Sequence, residues 1–137
     1  MHEGIIKGDS LKTGIRLENC MYFPSYLLEM PLSMTARIAY VLILNRTLHS
    51  EKRRKNANGE LYCSFPTKEL AELLDRGKTA TRDAIDNLCF YGLIRKGIYE
   101  YNFEGIYYPL IPSFTLHRLD LDQTAGFVTI KERREED

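Results

Sequence analysis

The chain has 137 residues, of which 44% are hydrophobic and 28% charged, so its size and composition indicate one folded domain with an apolar core. Its 19 basic and 19 acidic residues give a net charge of zero, which argues against a generic, strongly basic nucleic-acid coat but leaves a site-specific binder open. Its three cysteines, Cys20, Cys63 and Cys89, are far apart and form no CxxC pair, which indicates reduced thiols in a cytoplasmic protein.

The charge is distributed unevenly along the chain. Residues 46–58 carry five basic side chains and one acidic side chain, whereas residues 98–137 carry four basic and eight acidic ones. We therefore expect an anionic partner to meet the front two-thirds of the chain. The longest apolar run, residues 38–44, is far too short to cross a bilayer, and the N-terminus lacks the apolar core of a signal peptide.

The first predicted unit is a flexible N-terminal arm over residues 1–20, which contain three glycines and mixed charge without any clear period. Residues 21–32, MYFPSYLLEMPL, are apolar and aromatic, but Pro24 and Pro31 forbid one continuous helix. We predict that this segment is extended, or forms a short turn of helix, and packs on the body of the domain.

A long helix is predicted over MTARIAYVLILNRTLH, with Ser33 as its N-cap. Hydrophobic positions surround nearly the whole helix, so it should be central. The basic run SEKRRKNANG follows and closes on the turn dipeptide Asn58-Gly59. Its KRRK stretch, residues 52–55, is either simply solvated or a diffuse phosphate contact. ELYCSF then alternates apolar and polar residues and predicts a short strand.

Two short amphipathic helices follow in close succession. Thr67 is predicted to cap the second helix, KELAELLD, and Arg76-Gly77 is predicted to be the turn. The third helix should run from about Lys78 to Tyr91 and end at Gly92. Its predicted inner face consists of Ala84, Ile85, Leu88 and Cys89, and its outer face of Lys78, Thr79, Arg82, Asp83, Asp86 and Asn87.

Two aromatic-rich segments, LIRKGIYEY and GIYYPLIP, favour strands and predict a hairpin joined at residues 102–105. Tyr107-Tyr108 could stack on bases, although aromatic pairs in a hairpin more often serve sheet packing or a dimer contact. Further on, GFVTI could form a strand, and KERREED is predicted to be a charged, frayed tail.

The order helix, strand, helix, turn, helix, hairpin predicts an α+β winged helix-turn-helix, with a three-helix core and a small antiparallel β-sheet and wing. The predicted domains are the arm at residues 1–20, a winged-helix DNA-binding domain at 21–116, and a C-terminal extension with the charged tail at 117–137. A helix fits the major groove, residues near its start reach base edges, and its N-terminus suits a phosphate. Lys78, Thr79 and Arg82 stand at that start, which predicts sequence-specific binding of double-stranded DNA.

The same stretch resembles the N-terminal domain of the RepA_N plasmid replication initiators over roughly residues 22–110. The segments that carry the resemblance are FPSYLL, LSMTARIAYVLILNR, NGELY and TKELAELLDRGKTATRDAIDNLCFYGLI. The resemblance implies a winged helix that binds repeats at a plasmid or mobile-element origin of DNA replication and acts as a dimer. The contacts that it implies by position are Lys78, Thr79 and Arg82 on the recognition helix, Lys68 and Arg76 near the phosphates, and Arg95 and Lys96 at the start of the wing.

Two features depart from that family. Its initiators are usually longer, with a further C-terminal domain beyond the length of this chain. The wing of this chain also carries Glu100 and Glu104, near a tip where a DNA-reading wing would favour Arg or Lys.

Two other functions fit the same pattern: a small winged-helix transcription regulator, and a winged-helix protein-protein interaction module without DNA contact. Asp83 and Asp86 dilute the positive face of the third helix and favour the second of these. A homodimer is expected through residues 21–32 or the hairpin, because site-specific winged helices often bind paired half-sites.

An enzyme is not expected. His2, His49 and His117 have no carboxylate at useful spacing, and the sequence has no phosphate-binding glycine loop or metal signature. We therefore expect no catalytic residue, no metal, no cofactor, no small-molecule substrate and no membrane partner.

Overall fold

A computed structural model of the chain describes residues 8–49, 54–97 and 105–112. The helices are a 3₁₀ helix at Ser25–Glu29 and three α-helices: α1 at Met34–His49, α2 at Thr67–Leu74 and α3 at Lys78–Phe90. The strands are β1 at Arg54–Lys55, β2 at Leu61–Ser64, β3 at Ile94–Lys96 and β4 at Ile106–Pro109. They form an antiparallel sheet in the order β1-β2-β4-β3. Three helices with a small sheet and a terminal hairpin make a winged helix, which confirms the predicted fold class.

Helix α1 is the centre of the molecule, as its all-round hydrophobicity predicts. Ala39, Tyr40 and Ile43 are completely buried, and the helix contacts α2, α3, β2 and β4. A large aliphatic side chain such as that of Ile43 contributes about 1.5–3 kcal/mol when it leaves water. The predicted N-cap is confirmed, since the Ala36 backbone N–H donates to Ser33 Oγ at 3.1 Å.

The segment before α1 forms the short helical turn that the two prolines allow. Leu27 in the 3₁₀ helix is completely buried, so this turn is anchored on the body. The buried side chain of Asn45 on α1 holds the chain just upstream, because it accepts from Tyr22 N–H and donates to Tyr22 O, both at 2.8 Å. Residues 8–20 are exposed and contain no helix or strand.

Tyrosine hydroxyls connect the 3₁₀ turn to the residues that follow β4. Tyr40 donates to the Leu110 carbonyl at 2.7 Å, so its oxygen accepts from Tyr26 at 2.5 Å. Burial is the main reason why the pKa of Tyr26 rises to about 12 and that of Tyr40 also rises. Both hydroxyls are therefore neutral over the whole physiological range and act as structural hydrogen-bond donors.

Two local expectations were wrong. Thr67 is not the N-cap of α2 but its first residue, because Pro66 holds the extended cap conformation and its carbonyl accepts from Leu70 N–H at 3.0 Å. Residues 54–55, read as part of a loop, form strand β1 against β2. Backbone pairing through the turn at Asn58-Gly59 forms this strand, and it needs none of the apolar alternation by which strands are recognised.

The third helix follows its prediction closely and ends one residue earlier. Gly92 has a φ of +75°, and the backbone N–H of Leu93 donates to Leu88 O at 2.9 Å, which is the expected glycine-terminated helix end. The hairpin of β3 and β4 is also confirmed. Its connection with Glu100 and Glu104, and the segments GFVTI and KERREED, lie outside the described residues, as do residues 1–7 and 50–53.

Candidate nucleic-acid interface

The turn between α2 and α3 is made by Asp75 rather than by Arg76-Gly77 alone. Asp75 is in the left-handed conformation, with φ 58° and ψ 45°, which Asp tolerates better than most residues. Its backbone N–H donates to Glu72 O at 3.2 Å, and that of Arg76 donates to Ala71 O at 3.1 Å. This tight helix end at Asp75 leaves Arg76 exposed in the turn. Helix α3 begins three residues after Asp75, at Lys78.

The N-terminus of α3 is not capped by a side chain. Gly77 occupies the N-cap position and offers no side-chain acceptor to the first N–H groups of the helix. Behind them, the buried Thr81 donates its hydroxyl to Gly77 O at 2.9 Å and fixes the entry of the helix. The start of α3 therefore presents backbone donors and the positive end of the helix dipole to a ligand that carries negative charge.

The predicted faces of α3 are largely as expected. Ala84, Ile85 and Leu88 are buried against the core, and Cys89, also predicted to face inward, is half-buried at its margin. Lys78, Thr79, Arg82, Asp83 and Asp86 are exposed, and Asn87 is half-buried. The helix therefore presents a polar face that begins with two cations and a hydroxyl and continues into acidic residues.

The structure brings three of the predicted cations together. Lys68 of α2, Arg76 of the turn and Lys78 of α3 line one depression between the two helices, together with Glu72 and Asp75. All three cations are exposed. Because they come from three consecutive elements of the helix-turn-helix, their charges converge beside the uncapped start of α3.

Arg82 lies on the other side of α3, toward the hairpin. It lines a cavity with Asp86 of the same helix and Lys96 of β3. The Lys96 Nζ lies 3.2 Å from Asp86 Oδ1, and both side chains are more than half exposed. An ion pair so open to solvent contributes about 0–1 kcal/mol, so a phosphate can replace the carboxylate as the partner of Lys96.

The two predicted wing cations point to opposite faces of the sheet. Lys96 faces α3, whereas Arg95 lies on the face away from it, as alternation along a strand requires. Arg95 Nη2 is 3.0 Å from Glu60 Oε1, and its guanidinium carbon is 4.2 Å from the centre of the Tyr108 ring. Of the two, only Lys96 shares a surface with the exposed face of α3.

Arg46 fixes the position of α2 and takes no part in the exposed basic surface. Its guanidinium lies 3.6 Å above the Phe65 ring, donates to Ser64 O at 3.1 Å and pairs with both carboxylate oxygens of Glu69. Hydrogen bonding to Arg46 lowers the pKa of Glu69, and the reciprocal bond to Glu69 raises that of Arg46. This clamp joins α1, β2 and α2.

Sequence reasoning placed Asp86 on the outer face of α3 but missed its pairing with Lys96. Ten positions separate the two residues, and only the return of the chain through β3 brings them together. It also missed the role of Asp75, although an Asp directly before Arg-Gly at a helix end is a recognisable left-handed candidate.

No group of three or more His, Cys, Asp or Glu side chains in the described ranges is arranged to hold a metal ion. None of the helices that the structure describes is long and apolar enough to span a bilayer.

The chain matches no protein-family model and no curated protein. It is similar to several solved structures. One is the N-terminal domain of a DNA-binding protein, with a TM-score of 0.57 and 20% identity over 69% of this chain and 76% of that one. Another is a Rep–DNA complex, with a TM-score of 0.56 and 17% identity over 87% of each chain. A third is an MDR initiator, with a TM-score of 0.57 and 18% identity over 87% of this chain and 88% of that one. At these identities the likeness establishes a shared fold.

Proposed function

We propose that this chain binds double-stranded DNA in a sequence-specific manner through α3 and acts in the cytoplasm in replication initiation of a plasmid or other mobile element. It does so as a binding module without catalytic activity, metal or cofactor. The observation that carries the proposal is the uncapped N-terminus of α3, exposed on a winged helix and surrounded by Lys68, Arg76 and Lys78.

The roles of the contact residues follow from their positions. The N-terminal residues of a recognition helix reach base edges, so Thr79 and Arg82 are assigned to base contacts and Arg82 to a guanine. Lys68, Arg76 and Lys78 flank the helix start and are assigned to phosphates. Lys96 is assigned to the phosphate backbone beyond the far side of α3, after exchange of its Asp86 partner.

The initiator role is supported by two independent similarities. The sequence resembles the N-terminal domain of the RepA_N initiators, and the fold is similar to that of a Rep–DNA complex and of an MDR initiator. A small transcription regulator would use the same surface, so the position of the binding site decides between these roles. Binding within the coding region of the protein itself, where the resemblance places the origin, favours initiation.

We also propose that the chain works as a homodimer. Residues 21–32, where a dimer contact is expected, expose several large apolar side chains, among them Leu28 at 60%, Met21 at 57% and Tyr22 at 53% exposure. Such side chains gain stability when a second copy covers them. Light scattering at tens of micromolar should give twice the mass of one chain, and the mass of a single chain would reject the dimer.

The decisive experiment is fluorescence anisotropy with labelled duplexes that tile the coding region, compared with random duplex at two salt concentrations. The wild-type chain should bind one segment tightly. Arg82→Ala should weaken that binding by about 5- to 150-fold, because a bidentate guanine contact discriminates by about 1–3 kcal/mol. Arg16→Ala is the matched control, since it removes the same charge from an exposed position before the first helix.

The other outcomes reject the proposal in different ways. Weak, uniform binding that ignores Arg82 would leave only a generic phosphate contact. Equal losses from Arg82→Ala and Arg16→Ala would show that charge alone matters. No binding at low salt would favour the protein-protein interaction module, which the acidic continuation of the α3 face at Asp83 and Asp86 would suit.

A further inference from the structure

The face of the sheet that points away from α1 carries a row of two arginines and two tyrosines. Arg54 of β1 is paired with Tyr62 of β2, and Tyr108 of β4 is paired with Arg95 of β3. The register of β2 and β4 places Tyr62 opposite Tyr108. The row therefore runs Arg54–Tyr62–Tyr108–Arg95 across all four strands, with a cation at each end. We call it the cross-strand row.

The orientation of the row follows from its neighbours along the strands. Cys63 and Tyr107, which alternate with the two tyrosines, are buried in the core, and Cys63 Sγ lies 3.7 Å from the Ile43 carbonyl of α1. Tyr62 and Tyr108 therefore face the opposite side, where both are only half-buried. Helix α1 contacts β2 and β4 from the side on which Cys63 lies.

Side-chain contacts join three members of the row, Tyr62, Tyr108 and Arg95. The rings of Tyr62 and Tyr108 have their centroids 5.2 Å apart at an interplanar angle of 42°. Arg95 lies over Tyr108, with its guanidinium carbon 4.2 Å from the ring centre. Aromatic rings and guanidinium planes are the surfaces on which proteins stack unpaired bases.

The dimensions and charges of the row suit a short run of nucleotides. Neighbouring strands lie about 4.8 Å apart, so the four strands span roughly 14 Å. Four-stranded sheets with aromatic residues at such positions stack about two or three bases. Arg54 and Arg95 supply charge for the phosphates at both ends.

Two observations bear on the competing explanation, in which the row only stabilises the sheet and binds no ligand. Tyrosine pairs and an arginine over a ring also stabilise a sheet without any ligand. Glu60 holds Arg95 at 3.0 Å and places a negative charge beside the row. Since Arg95 and Glu60 are 44% and 48% exposed, their pair is weak, and a phosphate can take the place of the carboxylate.

We propose that the cross-strand row binds single-stranded DNA, with bases stacked on the tyrosines and phosphates held by the two arginines. A duplex does not fit this chemistry, because its bases are already stacked on one another. The row is separate from the exposed face of α3, and the choice of DNA over RNA rests on the proposed function. The chain would then hold duplex on α3 and an unpaired strand on the sheet.

The test is anisotropy of the full chain with a labelled oligothymidine of about 12 nucleotides, which lies in the range covered by single-strand-binding folds. Tyr62→Leu and Tyr108→Leu, which keep apolar bulk in the strands, should each weaken binding by about tenfold or more. Tyr62→Phe and Tyr108→Phe keep the rings and should retain wild-type affinity. Arg54→Gln should make the slope of log affinity against log salt less steep by about 0.7, the value for one phosphate on a single strand.

Arg82→Ala separates this site from the α3 site, since it should leave oligothymidine binding unchanged. Circular dichroism melts should show that each leucine variant is folded. The proposal is overturned if the wild-type chain does not bind oligothymidine, or if folded leucine variants bind it as tightly as the phenylalanine variants. It is also overturned if the matched RNA oligonucleotide binds tightly and the DNA does not. Loss of duplex binding alone would reject the α3 assignment and leave this one standing.

Discussion

At the scale of single residues, Asp86 limits the positive charge that α3 presents. Its carboxylate pairs with Lys96 across the side of the helix where Arg82 also lies. Asp86→Asn removes one negative charge from that side and releases Lys96 to a phosphate. We expect a severalfold gain in duplex affinity, because Lys96 no longer has to leave Asp86 to reach its phosphate, and an unchanged salt slope, because the number of phosphate contacts stays the same.

Anisotropy titrations over a range of salt concentrations measure both quantities. Asp9→Asn is the matched control, because it removes an exposed carboxylate from the N-terminal portion. If Asp86→Asn and Asp9→Asn behave alike, Lys96 takes no part in the duplex surface.

Substitutions at Gly77 can test folding stability and DNA binding separately at the start of α3. Its φ of −74° is open to any residue, and a Cβ there would meet no atom within 4 Å. Gly77→Ser and Gly77→Asp should both cap the helix and raise stability by a few tenths of a kcal/mol. Only Gly77→Asp places a negative charge where a phosphate is proposed, so it alone should weaken duplex binding strongly.

Thermal melts and anisotropy on the same preparations check this expectation, and the serine variant controls for the added cap. An aspartate variant that binds duplex as tightly as the serine variant would place the phosphate away from the start of α3.

At the scale of elements, the sequence predicts the helices better than their edges and the sheet. The dense hydrophobicity of α1, the period of α3, the cap at Ser33 and the stop at Gly92 are local signals, and the structure agrees with all of them. Strand β1 has two exposed, charged residues and exists only because β2 offers it a pairing edge. A strand that forms only by pairing with a neighbouring strand need not show the apolar–polar alternation from which strands are predicted.

The Arg46–Glu69 clamp makes the docking of α2 depend on pH. Because the pKa of Glu69 is lowered in the folded chain, the pair contributes stability above the unfolded Glu value of about 4.3, and this is lost as pH falls through the folded value. The pair is partly exposed, so the contribution after solvent screening is at most about 1 kcal/mol.

Urea unfolding at about pH 7 and about pH 3 measures this contribution. Glu69→Gln should be less stable than wild type at the higher pH, and the difference should shrink at the lower one. Glu72→Gln, on the same helix and exposed, is the control. A difference between Glu69→Gln and wild type that stays constant across both pH values would show that the clamp acts through shape and not through charge.

At the scale of the whole molecule, the arrangement of charge matters more than its total. The sequence identifies the individual cations, but their grouping depends on the tertiary fold. Lys68, Arg76 and Lys78 converge because Asp75 reverses the chain, and Arg95 and Lys96 are separated because adjacent strand residues face opposite ways. Neither the convergence of the three cations nor the separation of Arg95 from Lys96 can be read from spacing along the chain. The individual site residues were therefore predictable from the sequence, but their arrangement on the surface was not.

A chain of zero net charge should therefore show strongly salt-dependent duplex binding. If the four cations Lys68, Arg76, Lys78 and Lys96 each supply one phosphate contact, the log–log slope should be roughly −3.6. Arg76→Gln combined with Lys78→Gln should make it less steep by about 1.8, since two contacts are removed. The double control Lys12→Gln with Arg16→Gln removes the same charge from exposed positions before the first helix and should leave the slope unchanged. Equal changes in both double variants would mean that duplex binding depends on the overall electrostatic field of the protein and not on a surface built around α3.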